Sequence, residues 1–110
     1  MTNTFIDFDD FENKIYSEKP IFIEFYANWC RDSMKTVSFI TELEQDDKIT
    51  GNIDIYRCNI DDEEDIAEYC DVTDLPSCIC FQSGVSLFTM EGLNKDKLKN
   101  LLYSNISSAI

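Results

Sequence analysis

The sequence predicts an α/β fold, one domain over residues 1–110 in which a central mixed sheet of about five strands carries helices on both faces. Three observations predict it. An apolar run from Ile21 to Phe25 passes through Asn28-Trp29-Cys30 straight into an amphipathic stretch, the pattern of a buried strand, a short turn and a helix. Strand-like and helix-like segments then alternate until a hairpin pattern near the end, an order that demands a mixed sheet covered on both sides. With 44% hydrophobic and 13% aromatic residues, the chain can bury the core such a sheet needs.

Thr4 to Asp7 fits a short first strand, and Asp7 or Asp9 can cap a helix whose apolar Phe8, Phe11 and Ile15 recur at helical spacing. Pro20 stops that helix, and Ile21 to Phe25, broken only by Glu24, reads as a buried central strand. Beyond Cys30, the residues Met34, Val37, Ile40 and Leu43 mark the inner face of a helix running to about Gln45, with a polar loop from Asp46 to Asn52 after it. A second strand lies around Tyr56 to Asn59, flanked by Ile53, Ile55 and Ile60. Asp61 to Glu64 then supply the cap and acidic first turn of a short helix through Tyr69. Ser77 to Gln82, Ser83-Gly84 and Val85 to Met90 form a hairpin between Pro76 and Gly92. Lys95 to about Ser104 closes the chain as a helix with Leu98, Leu101 and Leu102 inward.

A net charge of −13 repels phosphate backbones and anionic membranes, which disfavours nucleic acid and membrane surfaces as partners and favours basic or neutral proteins. The absence of histidine removes His-based triads and His metal ligands together. The first 20 residues carry no basic segment followed by an apolar one, and no apolar run approaches the roughly 20 residues of a spanning helix, so a soluble cytoplasmic protein is expected. Five cysteines, an odd number without a repeating framework, fit free thiols in a reducing compartment. Cys78 and Cys80 share one face of a strand with no histidine to complete a ligand set, and no metal site is predicted.

A helix that opens at Cys30 sets its sulfur beside unpaired backbone N–H groups and the positive end of the helix dipole, both of which favour a thiolate. Arg31 adds to that effect and Asp32 opposes it. Cys30 is therefore the candidate nucleophile, against the plainer reading of a buried structural thiol. Cys58, Cys78 and Cys80 lie in strands and read as core fillers rather than resolving thiols, while Cys70 ends the short helix as an inert or regulatory thiol. Glu24 is the odd residue of its strand. A carboxyl between Ile23 and Phe25 has a raised pKa from desolvation, the mark of a general base, unless a cation pairs with it.

The segments Glu24-Phe25-Tyr26-Ala27-Asn28-Trp29-Cys30, Asn59-Ile60-Asp61, Leu75-Pro76-Ser77, Phe81-Gln82-Ser83-Gly84 and Gly92 stand at about the separations found in thioredoxins. On these residues nearly the whole chain resembles the thioredoxin family. The resemblance implies the thioredoxin fold and makes Cys30 the attacking cysteine of a Trp-Cys-x-x-Cys site whose second cysteine is replaced by Ser33. It places Glu24 at the family's buried acid, which exchanges a proton with that second cysteine, and Arg57 at the basic neighbour of the acid. Pro76 takes the place of the cis-proline facing the active cysteine, and Cys70 that of an extra cysteine of some animal thioredoxins. Trp29, Leu75, Pro76, Gly92 and Leu93 would line an apolar rim suited to a docking peptide.

The expected function is thiol-disulfide exchange through Cys30 alone, on protein or glutathione mixed disulfides. No bound cofactor is expected, and an external thiol such as glutathione acts as co-substrate, because Ser33 cannot release a mixed disulfide. The alternative is a non-catalytic module of the same fold that holds a partner on the apolar rim or traps it as a mixed disulfide. Ser33 favours the module, and the retention of Trp29, Cys30, Glu24 and Pro76 together favours chemistry.

Overall fold

The computed structural model describes residues 3–108 of the expected domain, whose first two and last two residues lie outside the described range. The elements run α1 (Phe8–Lys14), β1 (Ile21–Tyr26), α2 (Arg31–Leu43), α3 (Asp47–Thr50), β2 (Asp54–Asn59), α4 (Glu64–Tyr69), β3 (Ser77–Gln82), β4 (Val85–Glu91) and α5 (Lys95–Ser108). Four strands form one sheet in the order β2-β1-β3-β4. Strand β1 pairs parallel with β2 and antiparallel with β3, and β3 pairs antiparallel with β4.

The period of two along each strand sorts the core into two halves. Phe22, Ile55, Cys78 and Cys80 face α2, α3 and α5, where Phe39, Ile40, Leu43, Ile49, Leu98 and Leu102 meet them. Ile21, Ile23, Phe25, Tyr56, Cys58, Ile79 and Phe81 face α1 and α4, against Phe11, Ile15 and Ile66. Central β1 is thus buried on both sides, as its nearly unbroken apolar run requires.

Several expectations need correction. The Thr4 to Asp7 strand does not form, and among the described residues the sheet has four strands rather than about five. Among the described residues of this segment only Asn3 bridges to Tyr56, because Asp7 caps α1 by accepting from Asp10 N and the Asp10 carboxylate accepts from Ile6 N at 2.9 Å, which turns the chain out of line. Phe5 is fixed instead by stacking on Tyr56, with ring centroids 4.3 Å apart. The polar loop after α2 holds the short α3, capped by Asp46, whose carboxylate accepts from Lys48 N and from the Tyr103 hydroxyl. In α2 the inner face is Ser33, Thr36, Phe39, Ile40 and Leu43, while Met34 is exposed. Steps of three residues drift about 60° around a helix of 3.6 residues per turn, so Met34 and Leu43 cannot both face the sheet. Helix α5 runs past the expected Ser104, and its buried leucines are Leu98 and Leu102, with Leu101 half-buried.

The hairpin turn stands as expected. Ser83 and Gly84 both have positive φ, 52° and 81°, the geometry that lets a two-residue turn follow the strand twist.

Candidate active site

Cys30 is the N-cap of α2, in extended conformation at φ −98° and ψ 103°, between the exposed Trp29 and Arg31. It is half-buried, and its own N–H donates to Ala27 O at 3.0 Å. Its side chain does not cap the helix, which leaves the sulfur free of that duty. Among the described residues, all five cysteines are free thiols.

One turn into α2, Ser33 is fully buried. Its hydroxyl accepts from Ala27 N at 3.2 Å and donates to Cys30 O at 2.9 Å, with Ala27 O also within 3.2 Å. The side chain therefore ties the end of β1 to the first turn of α2. A thiol here would be a poorer donor and acceptor, and the hydroxyl makes shorter, stronger bonds.

The remaining cysteines are spread through the core. Cys78 and Cys80 lie on the α2 side of the sheet and Cys58 on the opposite side, facing α1 and α4. Burial pushes the Cys78 and Cys80 thiols up to about 12. Cys70 is also raised to about 12, by burial and then by Asp71, and burial followed by the Glu63 carboxylate holds Cys58 well above the ordinary thiol range.

Glu24 is 1% exposed in β1, directly across from Arg57 on one side and Cys78 on the other. Arg57 Nε donates to Glu24 Oε1 at 2.5 Å. Glu24 is both desolvated and paired with a cation: burial raises its carboxyl from the ordinary 4.5 to about 7, the Arg57 hydrogen bond and charge pull it down, and Glu44 pushes it up. Glu44, at the C-terminus of α2, was not anticipated. Its Oε1 lies 4.0 Å from Arg57 Nη2, so two carboxylates face one guanidinium. Glu24 Oε2 and Arg57 Nη2 are buried without a hydrogen bond.

Beside the start of α2 runs a groove of about 390 Å³ lined by Leu75, Pro76, Gly92 and Leu93, with Asp32 and Lys35 on its α2 wall. The Leu75–Pro76 peptide bond is cis. Gly92, with φ 75°, donates its N–H to Pro76 O at 2.8 Å, which holds the two loops of the groove together. Asp32 and Lys35 form an exposed ion pair at 3.8 Å, and Arg31 beside them is exposed. Trp29 is not part of the groove wall. The residue is 71% exposed, and its Nε1–H donates to Asp61 Oδ2 at 2.9 Å. The expected rim is therefore two surfaces: the apolar groove, and a tryptophan tied to the acidic start of α4. Lys35 and Asp61 belong to the site as well. The three-residue step from Asp32 to Lys35 was a readable signal for the first.

The Thioredoxin family model matches residues 3–104. Chicken thioredoxin is 30% identical over 93 residues, which span 84% of this chain and 86% of the chicken protein. Among solved structures, Malassezia sympodialis thioredoxin superposes with a TM-score of 0.89 at 19% identity, covering 96% of this chain and 91% of that one. A chain from a structural study of thiol resolution in yeast mitochondrial 1-Cys peroxiredoxin by glutathione and thioredoxin systems superposes at 0.84 with 25% identity, covering 94% of each.

Proposed function

Because the chain belongs to the thioredoxin family of thiol-disulfide oxidoreductases, and because its second site position is a buried, fully hydrogen-bonded Ser33, we propose that it exchanges disulfides through Cys30 alone. The Cys30 sulfur attacks one sulfur of a protein or glutathione mixed disulfide, and the other sulfur departs with the proton Cys30 gave up. An external thiol, glutathione or a similar small thiol, then attacks the partner sulfur of the Cys30 mixed disulfide, forms a new disulfide with it, and its proton passes to the departing Cys30 sulfur. The partner's extended chain lies in the groove of Leu75, Pro76 and Gly92, with Trp29 covering the approach from the other side. Glu24 holds or returns a proton beneath the site, while Arg57 and Arg31 temper the local negative charge and Asp32 adds to it. A cytoplasmic setting suits this cycle, since it offers the reduced thiol pool the second step requires.

The observation that carries the reading is Ser33. Its hydroxyl cannot displace a mixed disulfide, and the four other thiols are raised in pKa by burial. The relative from the peroxiredoxin study supports the choice of glutathione as a co-substrate class, since both a glutathione and a thioredoxin system are named there. The test supplies a disulfide substrate with either glutathione or thioredoxin reductase as the sole electron source, and follows adducts by intact mass. Turnover is expected with glutathione only, Cys30→Ser should abolish it, and Ser33→Cys should confer reductase-coupled turnover. Full activity of the parent with reductase alone would mean that another cysteine resolves Cys30. A Cys30 adduct that glutathione never releases would favour a partner-trapping module.

A further inference from the structure

The groove beside the start of α2 has apolar walls, and the stretch of chain that supplies them is acidic. Leu75, Pro76, Gly92 and Leu93 line it, and all four come from the stretch between Cys58 and Asn94. That stretch holds five aspartates and four glutamates and not one lysine or arginine. Within it, Asp61, Asp62, Glu64, Asp65 and Glu68 surround a second surface depression. Trp29 connects this depression to the reactive cysteine, since it adjoins Cys30 in the chain and hydrogen-bonds Asp61. Lys95, two residues past Leu93, lies over the Phe39 ring of α2 at 5.3 Å, and the cations at the start of α2 do little to offset this charge. Lys35 sits against Asp32 at 3.8 Å, and Arg57 is engaged with Glu24 and Glu44. Exposed Arg31 is the remaining cation at the start of α2.

An apolar groove by itself would accept peptides of any charge. Its surroundings decide which ones arrive: a surface of one sign raises encounter rates with the opposite sign by roughly 10- to 1,000-fold at low salt and rejects like charge. We infer that the natural partner at the Cys30 groove is an extended protein segment rich in lysine and arginine, with apolar residues beside the disulfide-bonded cysteine that Cys30 attacks. This rests on the exchange reading above and names its substrate class. In the step itself the Cys30–segment disulfide forms, the segment's original disulfide breaks, and the leaving sulfur takes up the proton released by Cys30. No further oxidant or reductant enters.

The experiment uses the full chain and two synthetic peptides of one apolar core sequence, flanked by lysines in one and glutamates in the other, each activated as the same thiopyridyl disulfide. Rates of Cys30 adduct formation are compared at low salt and at about 1 M, where the Debye length is only ~3 Å. A neutral dipyridyl disulfide corrects for any change at Cys30 itself. The cationic peptide should react at least ~10-fold faster at low salt, and the two should converge at high salt. A variant carrying Asp62→Asn, Glu64→Gln and Glu68→Gln should lose most of that ratio. One carrying Asp9→Asn, Glu42→Gln and Asp47→Asn, which removes as much charge elsewhere, should keep most of it. Equal rates at low salt overturn the inference, as does a ratio lowered equally by both variants, since net charge rather than this face would then be responsible. If the dipyridyl disulfide reacts while the peptides show no preference, the substrate class falls and exchange at Cys30 stands. If no disulfide forms an adduct with Cys30, both fall.

Discussion

Replacing Glu24 with glutamine should remove a pH dependence of folding stability worth about 3 kcal/mol. The carboxyl titrates near 4.5 in an unfolded chain and at about 7 in the folded one, chiefly because burial disfavours its charged form. A raised folded pKa means that the native state holds the proton more tightly, so the associated stability is complete below about 4.5 and is lost as pH rises through 7. At ~1.4 kcal/mol per pH unit for one proton, the interval between those two values gives the figure. Glu24 is only 1% exposed, so solvent screening takes little from it. Other carboxylates add their own acid dependence, but it cancels in the difference between parent and Glu24→Gln. Urea unfolding from pH 4.5 to 8.5 should be followed by circular dichroism, because Trp29 is 71% exposed and its fluorescence is a poor reporter of folding. The parent should fall relative to Glu24→Gln by about 3 kcal/mol across that range and level off near pH 8. Parallel profiles would refute the reasoning, since Glu24 would then be ionised in the folded protein throughout.

Arg57→Leu removes the partner that lowers the Glu24 pKa, so the same unfolding series should show the parent levelling off while the variant keeps losing stability past pH 7. Ser33→Ala leaves the buried Ala27 N–H without its side-chain acceptor and should cost about 1–3 kcal/mol in urea unfolding at neutral pH. A loss below ~0.5 kcal/mol would mean that the hydroxyl is not a structural tie. Gly84→Ala combines a strained positive φ of 81° with a Cβ 2.4 Å from the Tyr16 ring, and should lower stability by about 1–3 kcal/mol while leaving Cys30 reactivity in place.

What the sequence made legible is what local chemistry dictates. The Asp7 cap, the strand Ile21 to Tyr26, the acidic first turn of α4 and the Ser83-Gly84 turn all carry residues whose own preferences select their conformation, but the cap expected from Asp61 to Glu64 is not made, since Glu63 sits at the N-cap of α4 without a side-chain hydrogen bond. The errors fall where tertiary contacts decide. Thr4 to Asp7 has the composition of an edge strand, yet the Asp7 and Asp10 carboxylates claim the nearby N–H groups and Phe5 stacks on Tyr56. Four residues at steps of three marked α2 as helical, but its inner face also takes Ser33 and Thr36, polar residues that pattern alone assigns to the outside. The same limit applied to the site. Cys30, Ser33, Glu24 and Pro76 could be read from one chain segment each, whereas Glu44 and Asp61 matter only through contacts with Arg57 and Trp29 from distant segments.

Glu24 and Ser33 stand in opposite relation to stability, and that contrast bears on what the site retains. Ser33 fits its position without cost: buried, with its hydroxyl satisfied on both sides, it secures the start of α2 whether or not any chemistry occurs there. Glu24 does the reverse. Its carboxyl is desolvated, one oxygen lacks a hydrogen bond, and Glu44 adds like charge, so its ionised form weakens the fold at neutral pH. A group that weakens the fold near its own titration point is accounted for by what it does there, and a carboxyl with a pKa of about 7 is suited to passing a proton at neutral pH. On the function proposed above, Glu24 would then be a proton carrier left beside a position where Ser33 replaces a thiol. Ser33→Cys should accordingly gain reductase-coupled activity, and adding Glu24→Gln to it should lower that gain at pH 7 far more than it lowers the glutathione-dependent activity of the parent. Equal losses in the two backgrounds would reduce Glu24 to a structural partner of Arg57.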